Sequence, residues 1–273
     1  MKKKLLVLVL ALGLVLTACN KEENKASEQV SADGLEKVVI GASPSPHEEI
    51  LEALADEFKN EGVEVEVVAF DDYVQPNLAL ADGDLDLNYF QHLPYLEEFA
   101  KDHNLDLASV GPVHVEAMAL YSTKYNSVDE IPDGAEILIP NDPSNGARAL
   151  LLLAEEGLIE LKDPTDVKAT EEDIISNPKN LKFTALDAVN IARSYQDVDG
   201  GIINANYAID VGLDPSSDSL IKEGQNSLYA NLLVARAGEE NKEAYQKVYK
   251  VLTSEAARKF IEEKYQGNIS PAF

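Results

Sequence analysis

Residues 38–67 carry the pattern that most restricts the fold. Val38 to Gly41 (VVIG) is a short apolar run of strand type, and Ile50, Leu54 and Phe58 follow at four-residue spacing. That spacing predicts a helical face ending near Gly62. Val63, Val65 and Val67 then alternate with charged and polar residues as a second strand. Strand, covering helix and strand form a βαβ unit, which predicts a parallel sheet protected by helices. Ser45 and Glu48 stand at capping-box spacing, with Pro46 at the favoured first helical position.

The stretch Ile137 to Glu156 repeats this local grammar: an apolar strand, the loop Asn141-Asp142-Pro143-Ser144-Asn145-Gly146, then a helix rich in leucine and alanine. The loop holds helix-capping residue types, and Gly157 sits where a C-terminal cap belongs. Taking the helix from Ala147, Arg148 falls in its first turn, beside backbone N–H groups without intrahelical partners. Free donors with a guanidinium suit a small carboxylate or phosphate; a salt bridge to an acidic neighbour is the plainer alternative.

Other junctions place polar or aromatic side chains where strands end. Asp84 to Phe90 alternates as a strand and runs into Gln91-His92-Leu93-Pro94-Tyr95; Phe70 to Asn77, with Tyr73, leads into a short helix. Strand-like segments are expected at Ala108–Val110 and Val113–Tyr121. Ser127 and Glu130 again have capping-box spacing, and a short helix is expected after Thr170. Gly200 to Ala208 reads as strand, polar turn and helix, with Asn204 at the strand end. Leu228 to Ala235 is an apolar strand carrying Asn231, whose amide must find a partner if buried. Amphipathic helices from Ala244 to Tyr265 close the chain. Open α/β sheets bind ligands at the carboxyl ends of their strands.

With 273 residues there is room for two α/β units. The expected class is α/β with two lobes: residues 37–120 plus 230–273 form the first and 121–229 the second. Crossing strands near Ala119–Ser122 and Ser227–Asn231 are the hinge expectations. Ahead of them, Lys2-Lys3-Lys4, the apolar run Leu5–Leu16 and Leu16-Thr17-Ala18-Cys19 make a three-part export signal over residues 1–18. Its last four residues resemble a bacterial lipobox, so Cys19 is the expected lipidation site. Residues 19–36 are polar and aperiodic, as in a flexible tether. The protein is therefore expected at the extracytoplasmic face of a cell membrane, held by lipid.

A net charge of −26 argues against nucleic-acid partners. One cysteine, no G-x-S-x-G elbow, no glycine-rich phosphate loop and no H-E-x-x-H leave no reactive constellation, so catalysis and cofactors are not expected. A metal site would need several of His47, His92, His103 and His114 to meet a carboxylate. His47 itself suits either a cleft or the surface.

Taken together, the lipobox, IGASPSPHEEIL, FDDYVQPN, LNYFQHLPYL, IPNDPSNGARALLLL, KNLKF, IINANYA and the strand with Asn231 resemble the MetQ/NlpA methionine-binding lipoproteins. The similarity runs from about Val38 to the C-terminus. It implies a type II periplasmic-binding-protein fold whose lobes close on a ligand, and delivery to an ABC permease with its ATPase. It implies further that Arg148 holds the ligand carboxylate with help from Asn145. Asn204 and Asn231 would fix the amino-acid backbone, and Tyr73, Phe90 and His92 would pack the side chain. The implied ligand is L-methionine, with D-methionine or a methionine-containing dipeptide as variants. Another amino acid or peptide is the alternative, and a metal the more distant one. Ala117 departs from the family, where proline is common, which blurs where the hinge strand bends.

Overall fold

The computed structural model describes residues 34–224 and 227–273. The export signal, Cys19 and most of the expected tether lie outside these residues. Glu36, assigned to the tether, instead opens the first strand, because its backbone pairs opposite Val63.

β1 (Glu36–Ala42) and β2 (Val63–Ala69) pair in parallel, Val38 opposite Val65 and Ile40 opposite Val67. α1 (Glu49–Ala53) and α2 (Ala55–Asn60) connect them and bury Ile50, Leu51 and Phe58. The expected capping box at Ser45 does not form: Ser45 is extended, and its hydroxyl donates to Glu49 Oε1 at 3.2 Å. α3 (Gln75–Asp82) leads to β3 (Leu87–His92), parallel to β1. α4 (Leu93–His103) then leads to β4 (Leu107–Glu116).

The two strands expected between residues 108 and 121 are divided differently. β4 runs unbroken through Gly111-Pro112, where a side chain at Gly111 would overlap the Tyr249 ring. The break falls at Ala117-Met118, and β5 (Ala119–Tyr121) already belongs to the second sheet. Ala119 and Leu120, expected in the first lobe, thus pair with later strands: Leu120 lies opposite Ile202 and Ile221.

The second sheet continues with β6 (Glu136–Pro140) and α5 (Pro143–Glu155). A small antiparallel pair, β7 (Glu160–Leu161) and β8 (Ile174–Ser176), projects beyond it. β9 (Lys182–Leu186), α6 (Ala188–Ser194), β10 (Gly200–Ile203), α7 (Ala205–Asp210) and β11 (Ser219–Lys222) complete the lobe. Its strand order is β11-β5-β10-β6-β9. Ile137, Ile139, Leu150, Leu153 and Ile202 share its core. Ser127 makes no side-chain cap; the reciprocal box forms instead at Thr170 and Asp173.

The chain returns with β12 (Ala230–Arg236), antiparallel between β3 and β4. α8 (Glu243–Leu252), α9 (Glu255–Tyr265) and β13 (Ile269–Pro271) follow, giving the first sheet the order β13-β4-β12-β3-β1-β2. Val248, Leu252 and Ile261 pack into the same core as Ile40, Phe58 and Leu233. The backbone therefore crosses between sheets twice, at Ala117-Met118 and between Lys222 and Ala230. Among the described residues, no helix is long and apolar enough to cross a membrane.

Candidate functional site

The crossings hold the carboxyl edges of the two sheets face to face around a small cavity. From the first lobe come Tyr73, Phe90 and His92 at the end of β3, Glu116 at the end of β4, and Asn231 on β12. From the second come Asn145 and Arg148 on α5, and Asn204 with Asn206 at the start of α7. All the residues expected to face a ligand thus line one space. Hydrogen bonds already join the lobes there: Tyr73 Oη donates to Asn206 Oδ1 at 2.6 Å, and Tyr207 Oη to the Asp71 carbonyl at 3.1 Å.

Arg148 sits differently from its expected place. α5 begins at Pro143, not Ala147, because Asp142 caps it, accepting the Asn145 N–H at 2.9 Å. Arg148 is therefore in the second turn, and the Asn145 and Gly146 N–H groups are both taken by Asp142. What the site offers an anion is the guanidinium itself, on a residue that is 3% exposed. Glu223 accepts from Nε at 2.8 Å and pairs with Nη2, and the Glu116 carbonyl accepts from Nη2 at 2.7 Å. Tyr229 lies under the guanidinium, 4.3 Å from ring centroid to Cζ. Nη1 has no hydrogen-bond partner among the described residues. Burial opposes the cation, but Glu223, with Tyr229 and Glu116, offsets it and holds the pKa above its ordinary value.

The asparagines form the rest of the polar wall. Asn145 Oδ1 faces both His92 Nε2 at 3.1 Å and Asn204 Nδ2 at 3.0 Å. Two buried polar atoms of this wall, Asn204 Oδ1 and Asn206 Nδ2, have no partner among the described residues. A buried acceptor and a buried donor left open is costly unless a ligand completes them. Burial, followed by the nearby Arg148 charge, lowers the His92 pKa to about 3, so its imidazole is neutral.

The opposite wall is aromatic. The Tyr73 ring lies 5.8 Å from both Phe90 and Tyr95 and 4.9 Å from Tyr207, at tilted or edge-on angles. Tyr95 Oη donates to the Tyr73 carbonyl at 3.0 Å, which fixes the corner. Such rings give an apolar, polarisable lining suited to a thioether.

Behind the polar wall, His47 is buried, which resolves the cleft-or-surface alternative. Its Nε2 lies 3.1 Å from Asn231 Oδ1 and 3.2 Å from Glu116 Oε1; His114 Nε2 lies 2.7 Å from the same oxygen. Tyr89 Oη bonds the other nitrogen of His114. The ligating atoms of His47, His114 and Glu116 fall within 4.8 Å of one another, a set that could hold a cation. His92 and His103 do not join it; His103 instead stacks on Phe99. Burial lowers His47 to about 4 and His114 to about 3, and raises Glu116.

Sequence reasoning missed Glu116, Asn206, Tyr95, Glu223 and Tyr229. Asn206 and Tyr95 lie within motifs already singled out, so their proximity to Asn204 and His92 was an available signal. Glu223 gave none, since its partner is 75 residues away.

The sequence profile of the NlpA lipoprotein family matches residues 38–273. The D-methionine-binding lipoprotein MetQ of Salmonella typhi is 41% identical over 234 residues, covering 85% of this chain and 83% of that protein. The membrane lipoprotein TpN32 of Treponema pallidum (strain Nichols) is 38% identical over 265 residues, 97% of this chain and 95% of that one. A nutrient binding protein from Burkholderia cenocepacia bound to methionine has the same fold, with a TM-score of 0.83 at 39% identity over 86% of this chain and all of that one. The fold is thus the two-lobed one of periplasmic substrate-binding proteins, and the chain belongs to the NlpA lipoprotein family.

Proposed function

We propose that this protein binds L-methionine in the cavity between its sheets and delivers it to an ABC permease driven by an ATPase. The carrying observation is that a cation, an open acceptor and an open donor line one wall of a small cavity whose other wall is aromatic. A zwitterion with a soft apolar side chain complements both walls. Arg148 Nη1 receives the carboxylate, Asn204 and Asn231 with Asn206 hold the ligand backbone, and Tyr73, Phe90 and His92 with Tyr95 pack the thioether. The names of relatives that bind methionine support this reading. D-methionine or a methionine dipeptide remain within the same chemistry. Lipid on Cys19 keeps the protein at the extracytoplasmic face, and the protein performs no catalysis.

The His47–His114–Glu116 cluster favours a second reading, capture of a divalent cation. Calorimetry on protein unfolded and refolded to strip carried-over ligand separates the two. One-site binding of L-methionine is expected. Absence of heat with methionine, together with a stoichiometric response to zinc, overturns the first reading in favour of the second.

A further inference from the structure

Asp142 does not line the cavity, yet the directions of the Asn145 and Asn204 amides trace back to it. Its Oδ1 accepts the Asn145 backbone N–H at 2.9 Å, and both of its oxygens lie 3.0 Å from Asn145 Nδ2. An ionised carboxylate only accepts, so the Asn145 amide nitrogen must face it and Asn145 Oδ1 must face the cavity side. That oxygen also only accepts. The two groups that meet it, His92 Nε2 at 3.1 Å and Asn204 Nδ2 at 3.0 Å, must therefore both donate. His92 is consequently the Nε2–H tautomer. The far side of the ring agrees, because Nδ1 accepts the Tyr95 N–H at 3.3 Å. Asn204, having committed its nitrogen, is left with Oδ1 as an open, buried acceptor.

We propose that Asp142 is a positioning residue for ligand recognition: through Asn145 it fixes the His92 tautomer and turns Asn204 so that the cavity presents an acceptor to the ammonium of an amino acid. This rests on the reading of the cavity as an amino-acid site, but the orientation of the wall does not, and the two are measured separately. Reversing the relay would place a donor where an ammonium must sit, which a buried site penalises heavily.

The variant Asp142→Asn isolates this role, because asparagine caps a helix about as well as aspartate. Its side-chain nitrogen would oppose that of Asn145. Imidazole ¹⁵N spectra of ligand-free protein report the tautomer, and calorimetry reports L-methionine affinity. In the wild type, His92 is expected wholly as Nε2–H. In Asp142→Asn, a mixed or reversed tautomer is expected, with affinity weakened at least tenfold and the melting temperature little changed. A wild-type His92 in the Nδ1–H form overturns the proposal whether or not the variant folds. So does an Asp142→Asn protein whose tautomer is unchanged, whatever its affinity. Failure of methionine to bind wild-type protein with the Nε2–H tautomer intact overturns the ammonium assignment and the amino-acid reading together, and leaves the relay standing.

Discussion

Glu223 clasps one edge of the Arg148 guanidinium and, through the same carboxylate, the backbone N–H of Met118 at 2.8 Å. Met118 lies in the outgoing crossing between sheets, and Glu223 directly follows β11 at the start of the return. The charge in the cavity is thus anchored where the chain passes between lobes. The clasp occupies Nε and Nη2 and leaves Nη1 as the nitrogen free to meet a ligand.

Glu223→Gln keeps the shape and removes the charge, leaving a buried cation without its counterion. Breaking a buried pair in this way costs about 3 kcal/mol or more. Thermal unfolding should therefore show a melting temperature lower by several degrees. An unchanged melting temperature would mean that the pair contributes nothing net to the fold.

Arg148→Ala removes the guanidinium that lines the cavity. A charged hydrogen bond is worth about 1.5–3 kcal/mol, so methionine affinity should fall at least tenfold. Calorimetry on protein with native circular dichroism checks this. Normal binding by folded Arg148→Ala removes the residue from the site.

Tyr73→Phe deletes the hydroxyl that donates to Asn206 across the lobes while keeping the ring against Phe90 and Tyr95. One neutral hydrogen bond is worth about 0.5–1.5 kcal/mol, so affinity should weaken roughly two- to thirteenfold. Equal affinity would show that the aromatic surface alone is what Tyr73 supplies.

Acid should destabilise the fold partly through His92. Burial, with Arg148 adding to it, lowers its pKa from 6.5 to about 3. The unfolded chain takes up a proton near pH 6.5 and the folded chain does not. Its contribution is thus complete above that pH and is lost as pH falls toward 3. The loss is about 1.4 kcal/mol per pH unit. Between pH 7 and pH 5, His92→Gln should therefore lose about 2 kcal/mol less stability than wild type. Denaturant unfolding at both pH values tests this, and parallel losses in the two proteins would contradict it.

Much of this architecture is legible in sequence because parallel strands buried on both faces appear as short apolar runs such as VVIG and ILIP. The residues at their ends, His92 and Asn204, stand out as polar groups at strand–loop junctions. Arg148 was legible as a charge, but its turn of helix was not, since Pro143 and Asp142 could be read as loop as easily as first helical residue and cap. The first crossing was misplaced because Val113 to Tyr121 holds no glycine, proline or turn residue to mark the break. Only pairing partners distinguish Glu116 from Ala119. Glu223 was invisible among the many acidic residues until tertiary structure brought it to Arg148.

A crystal structure of the stripped protein with L-methionine added tests the central claim most directly. The carboxylate should lie within hydrogen-bond distance of Arg148 Nη1, the ammonium against Asn204 Oδ1, and the sulfur among Tyr73, Phe90 and Tyr95. Methionine bound elsewhere, or reversed with its sulfur at Arg148, would contradict it.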